Sequence, residues 1–190
     1  MLVITAKTAS GKDSIVKELI NIGMNKVVTY TSRPIRPGET DGVEYHFVTK
    51  EEFLEMKSRG VFAETTNYQI SKNVVWYYGT SKESLEEQNA VIICNPSGLK
   101  YLRQQKDLDL TVFYINSNEE VIRGRLIKRG DDPEEAERRL AADKEDFKGI
   151  EKYYDYAITN NGKKDIKTLA EEIWLIYNTE KRLLDLKKGV

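Results

Sequence analysis

The sequence predicts an α/β fold in which a central parallel sheet is covered by helices on both faces and interrupted by a β-rich insertion. Continuously apolar runs at residues 90–94 and 110–115 alternate with helical patterns, as is typical of parallel strands buried between helices. Between residues 30 and 80 this alternation gives way to short strand patterns. We therefore expect a core of residues 1–29 and 81–190, with residues 30–80 as an inserted subdomain.

The composition indicates a globular protein and argues against several classes of function. Charged residues make up 32% of the chain and hydrophobic residues 39%, and the net charge of −1 gives no basis for binding nucleic acid. No apolar stretch approaches the roughly 20 residues that span a bilayer, and the N-terminus has a strand pattern rather than a signal peptide. The single cysteine, Cys94, lies in an apolar run, which predicts a buried strand residue. The expectation is a cytoplasmic protein with no nucleic-acid or membrane partner.

The N-terminal segment has the layout of a phosphate-binding loop, or P-loop. An apolar run ends at Ile4, small and polar residues follow, and a helix pattern begins near Lys12. In the pattern G-x-x-x-x-G-K-[ST], backbone amides and the helix N-terminus bind phosphate, and the lysine reaches the terminal phosphates. Ala6 stands at the first glycine position and Asp13 at the hydroxyl position. The motif by itself therefore leaves open a simple turn with a solvated lysine.

Boundary signals divide the first half of the chain. They predict a helix from Lys12 that ends near Gly23 and a strand at residues 27–30. Thr49 and Glu52 form a capping box, which predicts a short second helix. His46 has no partner in the sequence for a metal or a catalytic triad, so it is interpreted as structural.

The second half alternates regularly between helix and strand. The patterns predict a helix from Ser81, a helix capped by Ser117 and a long charged helix that begins at Pro133. A last strand is predicted at residues 156–159. An amphipathic C-terminal helix then closes the chain, with Trp174 predicted to lie in the core.

The insertion carries a second candidate phosphate site. Arg33 and Arg36 lie in a proline-containing loop, and a planar guanidinium matches two phosphate oxygens. The hydroxyls of Tyr45 and Tyr78 can add donors, and Glu64 lies between them in the chain. Taken singly, such arginines are usually solvated and such tyrosines usually line a core. Their joint placement in the insertion favours a phosphate site.

A third group of arginines surrounds an acidic turn at residues 131–132. Ordinary ion pairs between residues four apart on a helix surface would explain this pattern. The functional interpretation is a mobile lid over residues 123–146, approximately, whose arginines stabilise a transferring phosphoryl group. The arginines are Arg125, Arg129, Arg138 and Arg139.

The sequence resembles the guanylate kinases, and the resemblance becomes specific at the arginine loop. The segments that carry the resemblance are Thr31-Ser32-Arg33-Pro34-Ile35-Arg36-Pro37-Gly38-Glu39, Asp41-Gly42-Val43-Glu44-Tyr45-His46-Phe47, Phe62-Ala63-Glu64, Tyr78-Gly79-Thr80-Ser81, Arg125-Leu126 with Arg129-Gly130, Arg139-Leu140, and Tyr154-Asp155-Tyr156 leading to Asn160. Their order and spacing hold from Leu2 to the C-terminal helix. The resemblance implies a P-loop NTPase core of three α/β/α layers, a GMP-binding subdomain and a helical lid.

The resemblance also implies an activity and a set of site residues. The implied reaction is the magnesium-dependent transfer of the γ-phosphoryl group from ATP to GMP, and also to dGMP, in purine nucleotide metabolism. Glu64 would accept hydrogen bonds from the donor edge of guanine, which adenine lacks. The implied ATP-binding residues are Ala6, Lys7, Thr8, Ala9, Ser10, Gly11, Lys12, Asp13, Ser14, Arg125 and Asn160. The implied GMP-binding residues are Thr29, Arg33, Arg36, Tyr45, Glu64, Tyr78, Thr80 and Asn95. The implied catalytic residues are Lys12, Arg36, Arg129 and Arg139.

The chain departs from the family pattern at three places. Ala6 and Ala9 replace glycines, which predicts that the loop avoids positive φ at both positions. Asp13 replaces the serine that ligates magnesium, and Ile93-Cys94-Asn95 replaces an Asp-x-Asp segment. We hypothesise that Asp13 takes over the contact to Mg²⁺, directly or through water, because an unbridged carboxylate beside a triphosphate would be strongly repelled.

Two other functions remain open at this point. The chain could phosphorylate another nucleoside monophosphate, because Asn95 replaces an acid at the guanine site. It could instead be an inactive guanylate-kinase-like binding module. The retention of Lys12 and of the arginines favours an enzyme. The sequence predicts no oligomeric state.

Overall fold

The protein has two compact units, each built around its own sheet. The computed structural model describes residues 1–71 and 73–189. The first unit comprises Met1–Asn25 and Val91–Val190, and the second comprises Lys26–Ala90. Within the described residues, no helix combines the length and hydropathy that spanning a bilayer requires.

The described residues form strands and helices that alternate in the first unit and are mostly strands in the second. The strands are β1 Leu2–Ala6, β2 Asn25–Lys26, β3 Tyr30–Thr31, β4 His46–Phe47, β5 Phe62–Ser71, β6 Val74–Ser81, β7 Ala90–Ile93, β8 Thr111–Asn116 and β9 Tyr156–Thr159. The helices are α1 Lys12–Asn21, α2 Lys50–Ser58, α3 Pro96–Leu102, α4 Glu119–Arg129, α5 Pro133–Asp146 and α6 Ile166–Lys188.

A five-stranded sheet in the order β2-β7-β1-β8-β9 forms the centre of the first unit. β1 pairs in parallel with both β7 and β8, and β8 pairs in parallel with β9. All five residues of β1 are buried. Leu2 and Ile4 belong to a core cluster that includes Ile15 of α1 and Ile173 of α6. The predicted parallel α/β sheet is therefore confirmed, and the loop after β1 lies at the carboxyl edge of the sheet, where ligands bind in such folds.

A four-stranded sheet in the order β4-β3-β6-β5 forms the second unit. β5 and β6 make a long antiparallel hairpin, and β3 joins β6 antiparallel. Helix α2 begins with the predicted capping box of Thr49 and Glu52. Its Phe53 is fully buried and stacks on Phe62, with ring centroids 4.5 Å apart. This packing holds β5 and β6, which carry several candidate site residues.

Two predicted elements of the insertion and its border were wrong. Of the strand expected at residues 27–30, only Tyr30 lies in a strand, because residues 27–29 connect β2 of the first sheet to β3 of the second. The helix expected from Ser81 is instead a 3₁₀ turn at Glu83–Leu85. Ser81 still pairs with Phe62 in the hairpin, so it ends a strand.

Two predictions in the first unit were also wrong. Asn118 rather than Ser117 is the N-cap of α4, because the Ser117 hydroxyl donates to the Asn160 carbonyl oxygen at 2.7 Å. Trp174 is 39% exposed rather than in the core. The buried side of α6 includes Ile173 and Tyr177, and Trp174 lies at its edge.

Candidate active site

The predicted P-loop connects β1 to α1, as its layout indicates. Gly11 caps α1 with a φ of +88°, a left-handed conformation that glycine adopts without strain. A Cβ atom on Gly11 would come within 2.5 Å of the Asn160 side-chain nitrogen. Both the backbone angle and the close approach therefore require glycine at this position.

The expectation that the loop avoids positive φ at both alanines was wrong for Ala9. Ala6 ends β1 and is not in the left-handed region, whereas Ala9 has a φ of +51°. This conformation costs about 1 kcal/mol or more for a residue with a Cβ. It persists because the neighbouring structure fixes it: Arg125 Nη1 donates to the Ala9 carbonyl oxygen at 3.1 Å.

The side chains of Asn160 and Arg125 form a brace, which holds the P-loop through hydrogen bonds to its backbone carbonyl oxygens. Asn160 is 1% exposed, and its Nδ2 donates to the Ser10 carbonyl oxygen at 2.8 Å. Arg125 Nη2 donates to both the side-chain and backbone oxygens of Asn160, each at 3.1 Å. Both residues were predicted to bind ATP. In the structure their side chains support the P-loop backbone that would bind the phosphates.

We expect Asn160→Ala to lower the free energy of unfolding by about 1 to 3 kcal/mol, because it removes the shorter hydrogen bond to the buried Ser10 carbonyl and a side-chain acceptor of Arg125. Chemical denaturation monitored by circular dichroism would measure the loss. Asn161→Ala is the matched control, since its Oδ1 accepts a single, exposed hydrogen bond from the Asn118 amide. Equal losses in the two variants would contradict the brace.

Lys12 and Asp13 occupy the first turn of α1. Lys12 Nζ lies 3.2 Å from Asp13 Oδ2, and the Asp13 side chain is 78% exposed. The hydrogen bonds that Arg129 donates to Asp131 are the largest cause of its raised pKa, and the negative charge of Asp13 adds to the shift. A largely exposed carboxylate thus lies beside the lysine expected to reach the terminal phosphates.

One carboxylate in the turn between α4 and α5 orients two of the predicted lid arginines. Arg129 Nε donates to Asp131 Oδ1 at 2.5 Å, and its Nη2 donates to the other oxygen of the same group. Arg139 Nη1 lies 3.5 Å from Asp131, and its Nε donates to Glu135 at 2.7 Å. Arg138 also pairs with Glu135, an ordinary surface pair at helical spacing. Arg129 and Arg139 are therefore held together at one end of this helix pair.

In the second unit, the structure brings three predicted phosphate-binding residues together. The Arg33 guanidinium carbon lies 5.5 Å from the centroid of the Tyr45 ring, and the Tyr45 and Tyr78 rings lie 5.9 Å apart. Arg33 is 4% exposed and donates to Glu39 at 2.7 Å. Glu39 also accepts from the backbone amide of Arg36 at 2.8 Å, which fixes the loop on which the exposed Arg36 lies.

Glu64 and Thr80 face each other across the β5–β6 hairpin. They are cross-strand partners, and the Thr80 hydroxyl donates to Glu64 Oε1 at 2.7 Å. Burial raises the pKa of Glu64, and the hydrogen bonds from Thr80 partly oppose this shift. The adjacent Gly79 leaves no room for a side chain, because a Cβ there would lie 3.0 Å from both Phe53 and Phe62. The carboxylate is therefore held on a rigid, closely packed strand pair.

The other two residues expected to bind GMP differ in their setting. Thr29 lies in the second unit, and its carbonyl oxygen accepts from the His46 amide at 2.8 Å. Asn95 belongs to the first unit and is the N-cap of α3. Its Oδ1 accepts from the Gly98 amide at 2.8 Å, so the side-chain amide NH₂ is the group it can offer to a ligand.

Sequence reasoning missed three side chains that organise these residues. Asp131 bridges the lid arginines, Glu39 holds the arginine loop, and Asp143 accepts a hydrogen bond from the P-loop amide of Thr8. No local pattern could have indicated Asp143, because its partner lies 135 residues away in the chain. Within the described residues, no group of three or more His, Cys, Asp or Glu side chains is arranged to hold a metal ion.

Comparison with known proteins shows that this chain is similar to guanylate kinases. A family model described as Guanylate kinase matches residues 1–175. The guanylate kinase of Desulfotalea psychrophila is 34% identical over 181 residues, covering 91% of this chain and 87% of that protein. The guanylate kinase of Clostridioides difficile is 34% identical over 198 residues, covering 100% of this chain and 92% of that protein. A solved guanylate kinase structure from Anaplasma phagocytophilum has a TM-score of 0.73 at 23% identity, covering 100% of this chain and 95% of that one, and it shows the same fold.

Proposed function

The chain belongs to the guanylate kinase family, and on that premise we propose how it transfers the γ-phosphoryl group of ATP to GMP, giving ADP and GDP. The observation that carries the proposal is the Glu64–Thr80 pair on the β5–β6 hairpin. A carboxylate held in this way matches the donor edge of guanine. The proposed setting is purine nucleotide metabolism in the cytoplasm.

The proposed ATP site is the P-loop of the first unit. Its backbone amides and the N-terminus of α1 would bind the phosphates, and Lys12 would supply a point charge to the terminal ones. Asn160 and Arg125 would act by holding the loop backbone in shape, as their hydrogen bonds to Ser10 and Ala9 indicate. This assignment replaces direct contact with positioning for these two residues.

The proposed GMP site is the second unit. Arg33, Arg36, Tyr45 and Tyr78 would bind the phosphate of GMP, and Glu64 with Thr80 would bind the base. Arg33 is buried and donates to Glu39 and to the Pro34 carbonyl oxygen, whereas Arg36 lies exposed on the same loop. Thr29, in the same unit, would add a further contact.

The chemical step needs positioning and charge neutralisation rather than a covalent intermediate. The attacking GMP phosphate oxygen is already ionised, so no general base is required. Helices α4 and α5 are the proposed lid, and their Arg129 and Arg139 would stabilise the transferring phosphoryl group. Because Asp131 holds both arginines, their orientation is set before any substrate arrives.

The residues of the P-loop fit the magnesium ion that the family implies. Mg²⁺ prefers oxygen ligands and is usually held by one or two carboxylates together with substrate phosphates. Asp13 offers such a carboxylate, largely exposed on the first turn of α1. When bound, the ion would neutralise charge on the phosphates. Asp13 is the residue that would hold it, directly or through water.

We expect Asp13→Ser to raise the magnesium concentration needed for half-maximal activity severalfold, because the variant loses a charged oxygen ligand. Titration of activity with MgCl₂ at saturating ATP and GMP would measure the change. Glu18→Gln, on the same helix, is the matched control. Wild-type turnover with an unchanged magnesium requirement would contradict the role of Asp13.

A coupled assay of ADP release with GMP, dGMP, AMP, UMP and CMP tests the proposed function. We expect turnover with GMP and dGMP and little with the others, because only guanine presents two donors to Glu64. Preference for another monophosphate would identify a different kinase. Binding of GMP without any turnover would indicate a binding module.

A further inference from the structure

A carboxylate from helix α5 binds the backbone of the P-loop. The Thr8 amide donates to Asp143 Oδ2 at 2.6 Å. Asp143 lies in the third turn of α5, the helix that also carries Arg139, and it is partly buried. Thr8 belongs to the loop whose amides are proposed to bind the phosphates of ATP. A negatively charged oxygen therefore already occupies one donor of an anion-binding loop.

The surroundings of Asp143 are those of an anion site. Two P-loop cations, Lys7 and Lys12, act on its charge, and Asp146 on its own helix and Tyr114 of β8 also face it electrostatically. Burial raises the pKa of Asp143, while the Thr8 hydrogen bond and Lys12 act against this shift. The carboxylate thus shares its positive neighbours with the phosphates expected at the same loop.

We propose that Asp143 sets the affinity of the P-loop for ATP by competing with a phosphate oxygen for the Thr8 amide and the loop lysines. One amide N–H makes one strong hydrogen bond, so the carboxylate and a phosphate exclude each other there. The two anions also repel each other at short range. The inference rests on the proposed ATP site and adds a residue that lies outside the P-loop motif.

The competition links nucleotide binding to the lid. Displacement of Asp143 by phosphate releases a hydrogen bond that joins α5 to the P-loop. Arg139 lies one helical turn before Asp143 on the same face of α5. Binding of ATP therefore breaks the hydrogen bond between the Thr8 amide and Asp143 that joins α5 to the P-loop. Helix α5, which carries Arg139, is then free to rearrange around the substrate.

Calorimetric titration of the full chain with ATP and MgCl₂ tests the proposal through three variants. Asp143→Ala removes the charge and the acceptor, and Asp143→Asn removes the charge but keeps an acceptor oxygen. Glu145→Gln is the control, because it removes an exposed charge from the same helix. We expect Asp143→Ala to tighten the Kd for ATP about tenfold and Asp143→Asn to tighten it less. The control should change it by less than about twofold.

Binding of GMP, measured in the same way, should be unchanged in all three variants, which separates the effect from a general change in the fold. Thermal unfolding identifies any variant that is not folded. If one Asp143 variant is not folded, the Kd for ATP of the other Asp143 variant tests the inference. Unchanged or weaker ATP binding in folded Asp143 variants overturns the inference while leaving the proposed function intact. A wild-type chain that fails to bind ATP contradicts the proposed function itself.

Discussion

Replacing Lys12 with alanine should lower kcat about 10²- to 10³-fold, the loss expected when one preorganised charge is removed from a phosphoryl-transfer site. Lys12 begins α1, directly after Gly11, whose left-handed conformation turns the chain from the loop into the helix. The ammonium group adds its charge to the loop amides at the terminal phosphates. Steady-state kinetics with ATP and GMP would measure the loss.

The matched control for Lys12 is Lys17→Ala, an exposed lysine later in the same helix. It should change kcat by less than about twofold, because a distant exposed charge is largely screened by salt. Thermal unfolding of both variants separates catalysis from stability. A Lys12→Ala enzyme with wild-type kcat would contradict the assignment of the P-loop as the ATP site.

Replacing Glu64 with glutamine should lower kcat/KM for GMP about 10- to 100-fold, because an uncharged amide replaces a carboxylate that accepts two hydrogen bonds. The glutamine nitrogen would also face the guanine donors. The discrimination between GMP and AMP should fall with it, since the preference depends on the same carboxylate. Kinetics with both nucleotides would measure the two effects.

The pH dependence of kcat/KM for GMP provides a second test of the role of Glu64. Because burial raises its pKa, Glu64 takes up a proton at a higher pH than an ordinary glutamate. On acidification, kcat/KM for GMP should therefore fall earlier than an ordinary carboxylate would cause. Glu64→Gln should lose this step, whereas the exposed-site control Glu55→Gln should keep it. Equal pH profiles and an unchanged preference for GMP would contradict the role of Glu64.

The proposed ATP and GMP sites are held in place by different kinds of contact. The P-loop backbone is fixed by a buried asparagine and an arginine, and it includes a non-glycine residue at positive φ. The proposed guanine-binding pair, Glu64 and Thr80, is fixed by strand register and by the packing beneath Gly79. The lid arginines depend on one carboxylate, Asp131, whose side chain is 13% exposed. The side chain that positions the two arginines, Asp131, was not among the predicted site residues.

Several features could be predicted because their physical cause lies within a few residues of the chain. The capping box of Thr49 and Glu52, the helix start at Pro133 and the strand at Tyr156–Thr159 all follow from local patterns, and the structure confirms them. The buried position of Cys94 follows from its apolar run. The outcome at residues 27–30 could not be predicted, because the apolar residues there join β2 of one sheet to β3 of the other instead of forming a strand themselves.

By itself, the sequence determined the alternation of strands and helices, since spacing and local chemistry fix it. Its resemblance to known sequences indicated the family and the residues expected to carry charge to the phosphates. Only the tertiary structure decided what each of them contacts. Asn160 reaches Ser10 across 150 residues, and Asp143 reaches Thr8 across 135. The parallel sheet brings Asn160, directly after β9, to the same edge as the P-loop, and the packing of α5 brings Asp143 to Thr8. No periodicity along the chain records either proximity.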